Sequence, residues 1–257
     1  MPIITLTTDF GNKDFFVPAL KGYILSHVPS VHLIDITHEV NPFNPIEASF
    51  VLRNSYMDFP PGTIHLISIE SNQHFNDDYI LVEFQGQYFI AHNNGIISLI
   101  TEGKADKIIR LTKAENKTIL FPAKEVMAPA ACLLANNTDP LKLGELMEKM
   151  DTISSLNPIL EQDMIRGTVI YIDNYGNVIS NINRSHIDRY DKSKKAIVQF
   201  SGKLTVDKFY EYYNDVPEGE VLCLFGVTGL LEIAVNKGNA STLFGLNVSS
   251  RVLIEFI

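Results

Sequence analysis

Eight residues in a row, Glu70-Ser71-Asn72-Gln73-His74-Phe75-Asn76-Asp77, follow the apolar run Ile64, Leu66, Ile67 and Ile69. They place two acids and a histidine beyond the end of a buried strand, where α/β proteins often put a site. Glu70 and His74 could form a carboxylate–imidazole pair that takes a proton from water. Asp77, like-charged and close in sequence, would raise one carboxyl pKa and make it a proton carrier. The plain alternative is a polar turn.

Three further segments carry polar groups at strand ends. In Thr8-Asp9-Phe10-Gly11, the Asp9 carboxylate suits ribose hydroxyls, while Asp14 suits either the same ligand or the cap of the next helix. Asp35-Ile36-Thr37-His38-Glu39 leads into Asn41-Pro42-Phe43. His38 reads as a satisfied structural histidine, whereas an apolar Phe43 in a loop is costly unless something stacks on it. Asp173-Asn174-Tyr175-Gly176-Asn177 lies between two strands and is explained by a hairpin turn or by a ligand. The stretch from Gly229 to Ala240, with Val235 and Lys237, is a strand entering a turn, and its backbone could pair with a flat heterocycle. Walker, G-x-G-x-x-G and G-x-S-x-G motifs are absent, and the seven histidines lack helical i, i+4 pairing, so no metal site is expected.

The elements that must position these groups fall into two halves. Ile3–Thr7, Val31–Ile36 and 63–69 read as strands, alternating with helical patterns at Phe15–His27 and Pro45–Tyr56. Such alternation implies a largely parallel sheet built by crossovers. YILVEF and QYFIAH flank Gln85-Gly86, a two-residue hairpin signal, and MAPAACLLA is a small-residue helix. From Gly167 onward only strands are expected, as an antiparallel barrel or sandwich. The division is an α/β domain over 1–150, a linker over 151–166 and a β-barrel domain over 167–257.

Composition agrees with an ordinary globular chain: 257 residues, 46% hydrophobic and 20% charged. A net charge of -9 argues against nucleic acid as a partner. Cys132 and Cys223 sit in apolar surroundings and read as buried thiols. No apolar run reaches the length of a membrane span, and MPIITLTTDFG is no signal peptide, so a cytoplasmic protein without membrane partners is expected.

Taken together in order, TDFG with Asp14, KG, DITHEV, FPPGTIHL, NNG, APAA, DNYGNVISN and LEIAVNKGNA resemble the S-adenosyl-L-methionine (SAM) hydroxide adenosyltransferases. These are relatives of the bacterial fluorinase and chlorinase, formerly a domain of unknown function. The resemblance covers nearly the whole chain. It implies a homotrimer with SAM between the N-domain of one subunit and the C-domain of its neighbour, SAM being substrate or ligand, with no cofactor. It places Asp9 on the ribose, Asp14 in the same loop, and Phe43 and Phe121 beside the substrate. Asp173 and Asn177 fall on the methionine and adenine side, and the backbone around Val235 and Lys237 near adenine.

The same resemblance marks departures. The hydrolase branch has an Asp, an Arg seven residues later, and a His before the APAA helix, a set that activates water. Here those positions hold Glu70, Asp77 and Pro122, and Val227-Thr228-Gly229 replaces Ser-Ser-Gly. The fluoride-contacting Ser is Ala123, and the fluorinase's extra loop has no room, so a fluorinase is not expected. A SAM hydrolase with Glu70, His74 and Asp77 as a rebuilt site is the leading reading. A non-catalytic binder of SAM or another adenosyl ligand, or a structural trimer, is the alternative.

Overall fold

The computed structural model describes residues 1–69, 78–112, 118–153, 157–202 and 204–257. Two compact units divide the chain, Met1–Ser154 and Ser155–Ile257.

The first unit begins with β1 (Ile3–Thr8), α1 (Phe16–His27), β2 (His32–Thr37), α2 (Pro45–Arg53) and β3 (Ile64–Ser68). It continues with β4 (Tyr79–Phe84), β5 (Gln87–His92), α3 (Ile96–Thr101) and β6 (Lys107–Leu111). A π-helical turn (Ala123–Met127), α4 (Ala128–Ala135) and β7 (Gly144–Leu146) complete it. The seven strands order as β2-β1-β3-β5-β4-β6-β7. β2, β1, β3 and β5 are parallel, and β4, β6 and β7 extend the sheet antiparallel. The β4–β5 hairpin turns at Gln85 and Gly86, both at positive φ (50° and 73°), which matches the strand twist.

Period-2 alternation sorts the sheet's two faces. Ile4, Leu6, Leu66 and Ile90 pack with α1, the π-turn and α4, while Ile67, Phe89 and Ala91 pack with α2 and α3. The central strands β1, β3 and β5 are mostly buried because helices cover both faces, while the edge strand β2 is largely exposed. Asn44 caps α2 by accepting from the Glu47 N–H at 3.1 Å, one residue ahead of Pro45.

In the middle of this sheet His65 is fully buried. Its Nδ1 lies 2.8 Å from Thr5 Oγ1 and its Nε2 lies 2.5 Å from Gln87 Oε1, with the ring stacked 4.8 Å from Phe89. The Gln87 amide donates onward to the Tyr56 and Phe59 carbonyls. Gln87 Oε1 is an acceptor, so Nε2 carries the proton and Nδ1 accepts from Thr5. Burial outweighs the Gln87 bond and lowers the His65 pKa to about 4.

The second unit contains β8 (Ile159–Leu160), β9 (Met164–Ile172), β10 (Val178–Asn183), α5 (Arg184–Ile187), β11 (Ala196–Phe200) and β12 (Leu204–Val206). Then follow β13 (Phe209–Tyr210), β14 (Val221–Phe225), β15 (Leu230–Val235), α6 (Ala240–Phe244) and β16 (Arg251–Phe256). The path β12-β11-β16-β9-β10-β15-β14-β13 curls until β12 meets β14, a nearly closed barrel around Ile165, Val178, Leu231 and Ile254. Except for the short β13–β14 pair, its ladders are antiparallel.

The expectation of strands alone after Gly167 is corrected by α5 and α6. Each is one capped turn: Asn183 accepts from the His186 N–H, and Asn239 from the Thr242 N–H. A cap stabilises so short a turn without any amphipathic period to announce it. Both cysteines are free and buried, as their surroundings suggest.

Candidate active site

The chain passes from β1 to β2 on one side and then to β3 on the other, so β1 is where the parallel order reverses. The crevice beyond the carboxyl ends of β1 and β3 is the place such sheets bind ligands. A cleft of about 160 Å³ opens there, lined by Phe10, Phe16, Ser68, Ile69, Tyr79, His92, Leu120, Phe121, Pro122 and Met127.

Its apolar wall is an aromatic cluster. Phe121 meets Phe10 and Phe16 edge-on at 5.7 and 5.2 Å, and Phe15 stacks on Phe16 at 4.4 Å. Phe121 is held ahead of the π-turn, where Glu125 Oε2 accepts from the Leu120 N–H at 3.0 Å. A π-wound turn displaces side chains from the α-helical register, and such turns recur at functional sites.

Two loops follow β1 and β2, the first of which supplies Phe10 to the cleft wall. Asp9, just after β1, accepts from the Phe43 N–H at 3.2 Å, and Phe43 is half exposed with φ at 64°. Beneath them, His38 is buried with Nδ1 2.8 Å from Thr8 Oγ1. His38 Nε2 lies 3.1 Å from Asp35 Oδ1, close but poorly aligned for a hydrogen bond. Lys21 donates to Asp35 Oδ2 at 2.5 Å. Partial burial raises the Asp35 pKa, but Lys21 and His38 outweigh it and hold the carboxyl low. The Gly11 N–H donates to the His38 carbonyl at 2.8 Å, tying the loops together. Asp14 is exposed, and the N-cap of α1 is Phe15, with no side-chain cap bond.

The far wall is fixed by Asn93-Asn94-Gly95. Asn94 is buried, donates to the Ile69 carbonyl at 3.2 Å and accepts from the Ile96 N–H. Gly95 has φ 86°, and a Cβ there would lie 2.6 Å from Ile153 Cγ1, so glycine is required. Ile69 is thus held at the point where Glu70 begins. Glu70, His74 and Asp77 themselves lie outside the described residues. His92, at the end of β5, lines the cleft with its ring 5.2 Å from Tyr79. Sequence reasoning passed it over because it ends an ordinary strand. The signal available was its register: Ile90 faces α1 and α4, so His92 faces the same way.

In the barrel unit, Asp173 and Asn177 engage each other. Asp173 accepts from the Asn177 N–H at 2.8 Å and the Tyr175 N–H at 2.9 Å, and the Asn177 amide reaches its other oxygen at 2.9 Å. Gly176 turns at φ 83° and packs where a Cβ would meet the Asn239 side chain at 2.1 Å. Val235 is buried, and Lys237 is exposed and paired with Glu218 at 2.8 Å. Between these two, the Asn236 N–H donates to Glu220 and its carbonyl accepts from Gly219. Glu232 is a buried acid that sequence reasoning missed; it accepts from the Tyr213 hydroxyl at 2.8 Å. Burial drives its pKa up, partly offset by Tyr213 and reinforced by the Asp173 charge.

Among the described residues no cluster of three or more His, Cys, Asp or Glu is placed to hold a metal ion. Nor is any described helix long and apolar enough to cross a membrane.

The SAM hydroxide adenosyltransferase N-terminal domain matches residues 4–144, and the C-terminal domain of the same family matches 167–253. The chain belongs to this family. A relative in Methanocaldococcus jannaschii, named (R)-S-adenosyl-L-methionine hydrolase, is 32% identical over all of this chain and 96% of its own. A protein of that name in Salinispora tropica is 25% identical, over 98% of this chain and 97% of its own. Fluorinases match at 21% to 22% identity. The crystal structure of an uncharacterized conserved protein from Thermotoga maritima superposes with a TM-score of 0.87 at 29% identity, covering 98% of this chain and 99% of that one.

Proposed function

We propose that the protein is a SAM hydrolase: water attacks C5′ of SAM in line with the sulfonium, giving adenosine and methionine. The observation that carries this reading is the cleft at the β1/β3 crevice in a chain of this family, with Phe10 in its wall and Asp9, bonded to the Phe43 N–H, next to Phe10 in the chain. In this reading the Asp9 carboxylate accepts from ribose hydroxyls, and the Phe10, Phe16 and Phe121 wall excludes water around a departing thioether. C5′–O forms as C5′–S breaks, the electron pair goes to sulfur, and the water proton leaves to a base. Positive charge on sulfur declines as the C5′–S bond breaks, so an apolar wall around sulfur lowers the barrier.

A cleft of about 160 Å³ is small beside the roughly 300–1,000 Å³ of ordinary ligand sites. That supports the trimeric reading, in which a neighbouring subunit's barrel unit completes each site with Asp173, Asn177 and the Val235–Lys237 backbone. Reduced, buried cysteines suit a cytoplasmic location. The non-catalytic reading has one observation in its favour: Pro122 in the cleft wall has no side-chain donor or acceptor.

Incubation with SAM in ¹⁸O-water tests the reaction. Adenosine carrying ¹⁸O at its 5′ oxygen, with methionine in equal amount, is expected. Tight binding without products would establish the non-catalytic binder. Light scattering at three times the chain mass is expected, and a monomer that still binds SAM would overturn the shared site.

A further inference from the structure

We propose that His92 is the proton acceptor for the attacking water, an inference that rests on the hydrolase reading above. The cleft lining contains two ionisable side chains among the described residues, His92 and Tyr79. A neutral phenol donates its O–H and does not take up a proton. A neutral imidazole has a ring nitrogen lone pair that can take a proton directly.

The placement of His92 follows from the fold. It is the last residue of β5, beside β3, and its strand neighbour two residues back, Ile90, is buried against the α1 and α4 layer. Alternation therefore aims the imidazole to the cleft side, and Tyr79, its partner across the β4–β5 ladder, packs against it at 5.2 Å. Asn93 and Asn94 then fix the backbone immediately after it, through Asp151 and Ile69. A base on a rigid strand end, packed beside a tilted ring and followed by a clamped turn, is held as a catalytic group must be.

The chemistry balances without a further reactant. As the water oxygen bonds to C5′, the C5′–S pair stays on sulfur, and the second water proton passes to a His92 ring nitrogen. The sulfonium charge is lost as the imidazolium forms, and the imidazolium then gives its proton to solvent. Charged groups on neighbouring elements are the Asp78–Arg110 pair at 3.1 Å and Lys124 and Glu125 of the π-turn. Their fields are common to all the variants below.

The experiment compares wild type, His92→Asn, His92→Gln and His74→Ala for turnover of SAM across pH, with SAM affinity by calorimetry. Both His92 variants are expected to lose at least about 100-fold in kcat, to keep affinity within about threefold, and to lose the acid limb of the kcat profile. Retained affinity shows that the fold survives. Wild-type kcat and an intact acid limb in His92→Asn would overturn the inference and leave the hydrolase reading standing. Loss of the limb in His74→Ala alone would overturn it in favour of the neighbouring segment. Binding without turnover in the wild type would remove both the inference and the reaction.

Discussion

The Phe43 N–H donates to Asp9 Oδ2 at 3.2 Å, so the acid after β1 and the aromatic after β2 form one unit. The bond uses one of the roughly four acceptor sites that a carboxylate offers. It also holds Phe43 at φ 64°, a conformation costing an L-residue about 1–2 kcal/mol.

Asp9→Asn should weaken SAM binding by about 10- to 100-fold, because a charge-assisted bond is worth roughly 1.5–3 kcal/mol. An amide oxygen can still accept from Phe43, so the loop itself should survive. Calorimetric titration of both proteins checks this. Equal affinities would take Asp9 out of the site.

Phe43→Gly and Phe43→Ala should separate strain from contact. Both remove the half-exposed ring and should weaken SAM binding alike. Only glycine relieves the left-handed backbone, so it should be more stable than the alanine variant by about 1 kcal/mol. Denaturant melts without ligand measure the difference. Wild-type affinity in both variants would show that the ring touches no substrate.

Much of this arrangement could be read in the chain. Alternation at Ile64–Ile69 and the paired Gln85-Gly86 gave the sheet and its hairpin because burial on two faces and positive φ leave direct marks on composition. Asp9 and Phe43 were visible as odd residues at strand ends. His92, His65 and Glu232 were not, for each sits in a strand whose pattern is otherwise apolar, and only the three-dimensional partners distinguish a cleft from a core. The Asp173–Asn177 contacts show the opposite case. A motif that suggested a ligand also satisfies its own turn, so its bonds in the barrel unit are accounted for locally.

Gly176→Ala should cost substantially more than Gly202→Ala, although both glycines have φ above 80°. At Gly202 a Cβ meets nothing within 4 Å, so the change should cost about 1 kcal/mol from backbone strain alone. At Gly176 the Cβ would strike the Asn239 side chain, which caps α6 through the Thr242 N–H at 2.8 Å. Losing that cap adds about 1 kcal/mol more. Urea unfolding of the two variants measures the gap, and equal stabilities would show that Asn239 moves aside freely.

His65 should make the first unit sensitive to acid. Its pKa is lowered from 6.5 to about 4 by burial. Above 6.5 the imidazole is neutral in both folded and unfolded chains, so it adds no pH dependence. As pH falls from 6.5 towards 4, the unfolded chain takes up a proton that the folded one refuses, and stability declines. The full loss is roughly 3 kcal/mol, complete near pH 4. His186, lowered by burial and by Arg189, contributes in the same direction, and low-lying carboxylates such as Asp35 add theirs below it. The contribution of His65 is therefore the difference between wild type and His65→Gln. That variant should be less stable at neutral pH, because Thr5 and Gln87 lose the ring between them. Between pH 6.5 and 4, however, its stability should fall less steeply, by up to one proton. Urea midpoints measured at half-unit steps across this range give the slopes, and parallel slopes would show that His65 is protonated in the folded protein.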